Sequence, residues 1–116
     1  MRPPPLLALP LLAALAAPAC AAPAASAPAA PPGPARQAEL VHLLRQDCGA
    51  CHGMRLKGGL GSSLLPADIA GLDDDTLVKT ILDGRPGTPM PPWRPFLSEE
   101  EARWLVGYLR RGGKDE

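Results

Sequence analysis

The sequence predicts a small all-α domain, and three observations support this fold class. Three stretches of the chain repeat apolar residues at the three- and four-residue spacing of an amphipathic helix. Two of these stretches begin at a recognisable helix cap. No segment shows the alternating apolar pattern or the short continuous apolar run of a strand. A length of 116 residues fits one such domain.

The first helix is predicted over about residues 35–47. Leu40, Val41, Leu44 and Cys48 recur on one face, so the helix can bury that face and present Cys48 at its end. Gly49 and Gly53 are expected to let the chain turn tightly after it, because glycine tolerates backbone angles that other residues avoid.

The second helix is predicted over about residues 74–83. The acidic triplet that precedes it offers an N-cap and favours the positive end of the helix dipole. Gly84 is suited to the C-cap position. The apolar face of this helix comprises Leu77, Val78, Ile81 and Leu82.

The third helix is predicted to begin at a capping box, with Ser98 as N-cap and Glu101 at the third helical position. Trp104 and Tyr108 are four residues apart and are expected to stack on a face other than the main apolar one. Gly112 and Gly113 should end the helix. Between the first two helices the chain is loop-rich, with one short helical turn expected after Pro66.

The N-terminal region is expected to serve export rather than folding. Residues 1–27 combine an early arginine, a short apolar run and small residues, which is typical of a signal peptide cleaved between residues 19 and 27. The run is too short for a stable membrane span. Lipid attachment at Cys20 is the alternative. Residues 28–34 form a Pro/Ala-rich linker, and residues 35–116 form the folded domain.

The segment Cys48-Gly49-Ala50-Cys51-His52 carries the chemistry. Three interpretations compete: a redox-active disulfide, a zinc site that would also need His42, and covalent haem. No strand pattern precedes Cys48, which disfavours a thioredoxin-like setting, and His52 is too close to Cys51 for an easy zinc tetrahedron. Cys-x-x-Cys-His is the haem c attachment motif, in which the thiols bond the porphyrin and the histidine binds iron. The sequence therefore predicts one covalent haem c.

The second axial position of that haem is expected to be filled by Met90. Met54 follows His52 too closely to reach the opposite face, and His42 lies on the attachment side. Met90 lies in a loop with several prolines, which reduce the freedom of the unliganded loop and so help to hold a weak ligand. The alternative is that Met90 fills an apolar gap.

With these residues in view, the chain resembles the class I monohaem cytochromes c. It is most similar to the cytochrome c55X group, which accompanies the cd1-type nitrite reductases of denitrifying bacteria. The resemblance depends on CGACHGMRLKGGLG (48–61), ILDGRPGTPMPPW (81–93) and LSEEEARWLVGYL (97–109).

The resemblance implies roles for individual residues. Cys48 and Cys51 would form the thioethers, His52 would be the proximal iron ligand and Met90 the distal one. The family usually has Gly-Pro-x-Leu after the motif, where the proline carbonyl accepts a hydrogen bond from the proximal imidazole. Here Ser62 replaces that proline, and its carbonyl is expected to serve instead.

The expected function is that of a periplasmic single-electron carrier, not an enzyme, that donates electrons to cd1-type nitrite reductase. The alternative is an accessory role in the maturation of the haem d1 of that enzyme. A gas sensor or small peroxidase would require Met90 to leave the iron. Twelve Lys or Arg residues balance twelve Asp or Glu residues, which gives no indication of nucleic-acid binding.

Several side chains are expected to surround the haem. Arg85 is expected to pair with a haem propionate, because it directly precedes the ligand loop. Trp93 and Trp104 are expected to pack against the porphyrin and a helix rather than to relay electrons. The basic residues expected to be solvated surface are Arg55, Lys57 and Arg94.

Overall fold

The computed structural model describes Met1, residues 21–22 and residues 29–114. The predicted signal peptide, with Cys20, lies outside these residues except for Met1 and residues 21–22, and so does the first residue of the predicted linker.

The described part of the chain is helical, and no strand occurs in it, which confirms the predicted fold class. None of its helices is long and apolar enough to cross a membrane. A π-helical turn, Leu44–Cys48, follows α1 directly. The α-helices are α1 (Pro34–Leu43), α2 (Gly49–His52), α3 (Pro66–Ile69), α4 (Asp74–Asp83) and α5 (Glu99–Arg110).

The first helical stretch is longer than predicted. The chain stays helical through the π turn and α2 as far as His52, instead of ending near Asp47. Gly49 was expected to make a tight turn, but it is buried and helical, with φ of −61°. The turn is made by Gly53, which has φ of +90° and whose added Cβ would lie 2.6 Å from the carbonyl oxygen of Gly58. That close approach of two backbone segments is what requires glycine at position 53.

Helix α4 begins and ends as predicted. The Asp73 carboxylate accepts a hydrogen bond from the Thr76 N–H at 2.8 Å, which satisfies one of the unpaired donors of the first turn. Gly84 ends the helix with φ of +69°. Helix α4 packs against α5 through Val78 and Leu82.

Helix α5 opens with the predicted capping box. Ser98 Oγ accepts from the Glu101 N–H, and the Glu101 carboxylate accepts from the Ser98 N–H at 2.9 Å. The same carboxylate accepts from Arg36 Nε at 2.6 Å and so ties α1 to α5. The guanidinium of Arg36, and then the Ser98 N–H, hold the pKa of Glu101 below its usual range. Glu101 therefore serves both the cap and the contact between the first and last helices.

The hydrophobic core lies between the first helical stretch, α4 and α5. Tyr108 is 2% exposed and stacks on Trp104 with ring centroids 5.4 Å apart, which confirms the predicted pair. Tyr108 is nevertheless part of the core and not of a separate face, because it is buried together with the apolar residues of α5. The other buried apolar residues are Leu40, Leu44, Leu56, Ile69, Val78, Leu82, Leu97, Ala102, Leu105, Val106 and Leu109.

Candidate haem site

The π turn and α2 carry the three residues of the predicted attachment motif. Cys48 is the last residue of the π turn and is half-buried, whereas Cys51 lies in α2 and is exposed. Residues three apart on a helix share one side, so the two thiols are available to a single flat partner. Both are free thiols and form no disulfide with each other.

The thiol of Cys48 is half-buried and lies near a negative charge. Burial, with the nearby charge of Asp47, raises its pKa to about 11. Cysteines that catalyse thiol–disulfide exchange have a lowered pKa, because the thiolate is the reacting species. This disfavours the redox-dithiol interpretation.

The zinc interpretation also lacks support in the described residues. They contain no group of three or more His, Cys, Asp or Glu side chains that could hold a metal ion. His42, which such a site would need, is exposed on α1, as expected for a surface residue.

The orientation of His52 is set by a backbone carbonyl. Its Nδ1 lies 2.7 Å from the carbonyl oxygen of Ser62. A carbonyl oxygen can only accept, so Nδ1 is the donor, and in the neutral ring Nε2 is then the nitrogen with the lone pair that could bind a metal. The hydrogen bond expected from the resemblance is therefore present although Ser62 replaces the usual proline.

The loop after the motif packs tightly against His52. The Gly58 N–H donates to the His52 carbonyl and the Gly61 N–H donates to the Cys51 carbonyl, each at 2.8 Å. A Cβ on Gly61 would lie 2.9 Å from Nδ1 and from Cε1 of the His52 ring. This role of Gly61 was not predicted from the sequence. The dense glycines of this loop were the available signal, but they do not reveal which one faces the ring.

The loop that carries Met90 is hydrogen-bonded to the end of α4. The Trp93 N–H donates to the Ile81 carbonyl at 3.0 Å and the Arg94 N–H to the Leu82 carbonyl at 3.1 Å. Met90 itself is half-buried. A Cβ on Gly84 would lie 2.6 Å from the Met90 carbonyl oxygen, so the helix end and the loop are in direct contact.

The predicted surroundings of the site are partly found. Trp93 and Trp104 are partly buried and pack against the core, and their contact with a porphyrin stays a prediction. Arg94 is exposed, but its guanidinium is bound to Asp83, with Nε 3.0 Å from Oδ1. Arg55, Lys57 and Arg85 are exposed. The pairing of Arg85 with a propionate stays a prediction.

Comparison with known proteins decides the family. Residues 35–109 match the family model described as cytochrome c oxidase, cbb3-type, subunit III. Over 79 residues the chain is 58% identical to cytochrome c55X of Paracoccus denitrificans (strain Pd 1222), an alignment covering 68% of this chain and 77% of that protein. The chain belongs to the cytochrome c55X family. It is thus a c-type cytochrome, an electron carrier and not an enzyme, and its cofactor is haem c.

Two further likenesses extend this family assignment. The chain resembles the solved structure of the c-type cytochrome NirC with a TM-score of 0.69 and 56% identity, covering 70% of this chain and 95% of NirC. It is also 42% identical over 67 residues to dihydro-heme d1 dehydrogenase of Pseudomonas aeruginosa (strain PAO1). That alignment covers 58% of this chain but only 14% of the enzyme. The chain is therefore also similar in sequence to a small part of a larger enzyme.

Proposed function

We propose that this c55X-family chain is a periplasmic monohaem carrier that donates single electrons to cd1-type nitrite reductase. The observation that supports it most is the His52 ring, held through Nδ1 by the Ser62 carbonyl and placed one residue after Cys51. An imidazole oriented in this way is prepared to bind iron through Nε2.

The residues present fit one covalent haem. Cys48 and Cys51 are free thiols in the spacing that thioether attachment needs, and His52 and Met90 supply one nitrogen and one sulfur ligand. The porphyrin would contact apolar side chains that border the core without being fully buried. Those side chains include Val41, Leu64, Leu77, Ile81 and Trp93.

The bound haem would supply one-electron chemistry through its iron. The chain's contribution would be His52 and Met90, which would both bind the iron and so leave no site for a substrate or for a gas. A thioether ligand such as Met90 also stabilises the reduced state and raises the potential. These properties suit an electron carrier and disfavour a gas sensor or a peroxidase.

The surface around the motif suits a short-lived contact with a redox partner. Cys51 is exposed, and the backbone of the turn that carries Leu60 is hydrogen-bonded to Cys51 through Gly61. Leu60 is 94% exposed and offers an apolar contact there. A small interface is typical of transient electron-transfer complexes.

The proposed location and partner depend on the sequence and on the relatives. Residues 1–27 are proposed as the export signal, residues 28–34 as the linker and residues 35–116 as the haem domain, with lipid attachment at Cys20 as the alternative. The likeness to cytochrome c55X and to NirC supports the nitrite-reductase system.

Electron donation is tested by stopped-flow mixing of the reduced holoprotein with fully cofactored cd1-type nitrite reductase and nitrite. We expect second-order oxidation with a rate constant of about 10⁵ M⁻¹ s⁻¹ or more, which is typical of protein pairs that dock without large rearrangement. Mixing with nitrite alone is the control. Oxidation no faster than in that control would count against donation.

A second candidate function is an accessory role in haem d1 maturation, which the likeness to dihydro-heme d1 dehydrogenase favours. A dehydrogenase must pass the electrons that it removes to an acceptor. If the oxidised cytochrome is reduced by that enzyme and its substrate, while the reduced cytochrome is not oxidised by nitrite reductase, the maturation role is the better explanation.

A further inference from the structure

The side chain of Thr88 bridges two backbone groups of the Met90 loop. Its hydroxyl donates to the Arg85 carbonyl at 2.8 Å and accepts from the Met90 N–H at 3.3 Å. The Thr88 N–H donates to the same carbonyl at 3.1 Å, and the Arg85 N–H donates to the Met90 carbonyl at 3.2 Å. The hydroxyl thus completes a small closed network that ends on the backbone of Met90.

Backbone hydrogen bonds hold the C-terminal side of the loop to α4, but the segment before Met90 has few contacts of its own in the described residues. Thr88 is the only side chain there that hydrogen-bonds to the backbone of residues 85–90. Pro86 and Pro89 have no N–H to donate. The Met90 N–H has no other partner among the described residues, so the Thr88 hydroxyl is the group that fixes it.

We propose that Thr88 is a positioning residue for the distal ligand. This inference depends on the proposed function, in which Met90 binds the haem iron. A thioether is an uncharged and weak ligand, so its occupancy depends on how firmly the backbone that carries it is held. Thr88 is exposed, so its effect acts through these two hydrogen bonds and not through core packing.

The test compares holoproteins that carry Thr88→Val, Thr88→Ser and Thr76→Val. Valine keeps the shape of threonine and removes both bonds, whereas serine keeps the hydroxyl. Thr76 is the matched control, because it is also exposed and its hydroxyl donates to a local acceptor, the Asp73 carboxylate, at 2.8 Å. It lies at the opposite end of α4 from the loop.

Two measurements report on the iron–sulfur bond: loss of the sulfur-to-iron charge-transfer band with rising pH, and carbon monoxide binding to the reduced protein. Loss of one to two hydrogen bonds corresponds to about a tenfold change in an equilibrium constant. For Thr88→Val we therefore expect about tenfold tighter carbon monoxide binding and a band that disappears at a pH lower by about one unit. Thr88→Ser and Thr76→Val should stay within about twofold of the unmodified protein.

The possible outcomes separate this inference from the proposed function. If the unmodified protein lacks the charge-transfer band, Met90 is not the ligand and the proposed function fails. If the band is present and Thr88→Val behaves like Thr76→Val, the Thr88 inference alone is overturned. If Thr88→Val does not accumulate, Thr88→Ala takes its place. A normal iron–sulfur bond in Thr88→Ala would overturn the inference. So would a weakened iron–sulfur bond in Thr88→Ser, because serine keeps the hydroxyl.

Discussion

Replacement of Met90 by alanine is expected to remove the sulfur-to-iron charge-transfer band from the oxidised holoprotein. Alanine cannot bind the iron, so the reduced protein should bind carbon monoxide readily at neutral pH. The reduction potential should fall by on the order of 0.1 V, a fraction of the roughly 0.8 V range that axial ligands set. Absorption spectroscopy and a redox titration measure these effects.

The matched control for this change is Met54→Ala. Met54 is 58% exposed and lies two residues after His52, so its loss removes a methionine near the haem without removing a proposed ligand. Met54→Ala should keep both the band and the potential. If Met90→Ala keeps them as well, Met90 fills an apolar gap and the distal ligand is another group.

Replacement of Tyr108 by alanine is expected to destabilise the holoprotein by about 3–5 kcal/mol, the usual cost of truncating a large buried aromatic side chain. Tyr108 is 2% exposed and stacks on Trp104, so its removal leaves a cavity and breaks an aromatic pair. Denaturant titration followed by circular dichroism measures the loss. Because small domains have only about 5–15 kcal/mol of stability, partial unfolding at moderate temperature should follow.

Phe96→Ala is the control for that experiment. Phe96 is 65% exposed and contacts Trp93 at a centroid distance of 5.8 Å. Its truncation should cost well under about 1 kcal/mol, as is usual for surface positions. Equal losses for the two variants would show that the buried face of α5 does not carry the stability of the domain.

The elements that the sequence predicts best are those with local end signals. Helix α4 has a capping aspartate at Asp73 and a glycine at its end, and α5 has the Ser98–Glu101 capping box. These signals involve neighbouring residues only, so they can be identified without knowledge of the tertiary structure.

The end of the first helical stretch could not be predicted in this way. It depends on the π turn at Leu44–Cys48 and on the approach of Gly53 to Gly58. A glycine in the sequence shows only that unusual angles are allowed, which is why Gly49 was wrongly assigned to a turn. The burial of Tyr108 likewise depends on which elements cover α5.

The candidate site likewise has features that neighbouring residues predict and features that depend on the tertiary structure. The types and spacing of Cys48, Cys51 and His52 are sufficient to predict the cofactor, because the motif is contiguous. The supporting contacts are not contiguous. They depend on the path of glycine- and proline-rich loops. These loops place Gly61 against His52 and place the Thr88 hydroxyl between two backbone groups.

The most direct test of whether one porphyrin is bonded to Cys48 and Cys51 is the intact mass of the exported protein. The protein is produced for this purpose in cells that attach haem to c-type cytochromes. We expect the mass of the mature polypeptide plus one haem, unchanged by acidic organic extraction. The mass of the polypeptide alone, or of a polypeptide two hydrogens lighter because Cys48 and Cys51 have formed a disulfide, would contradict it.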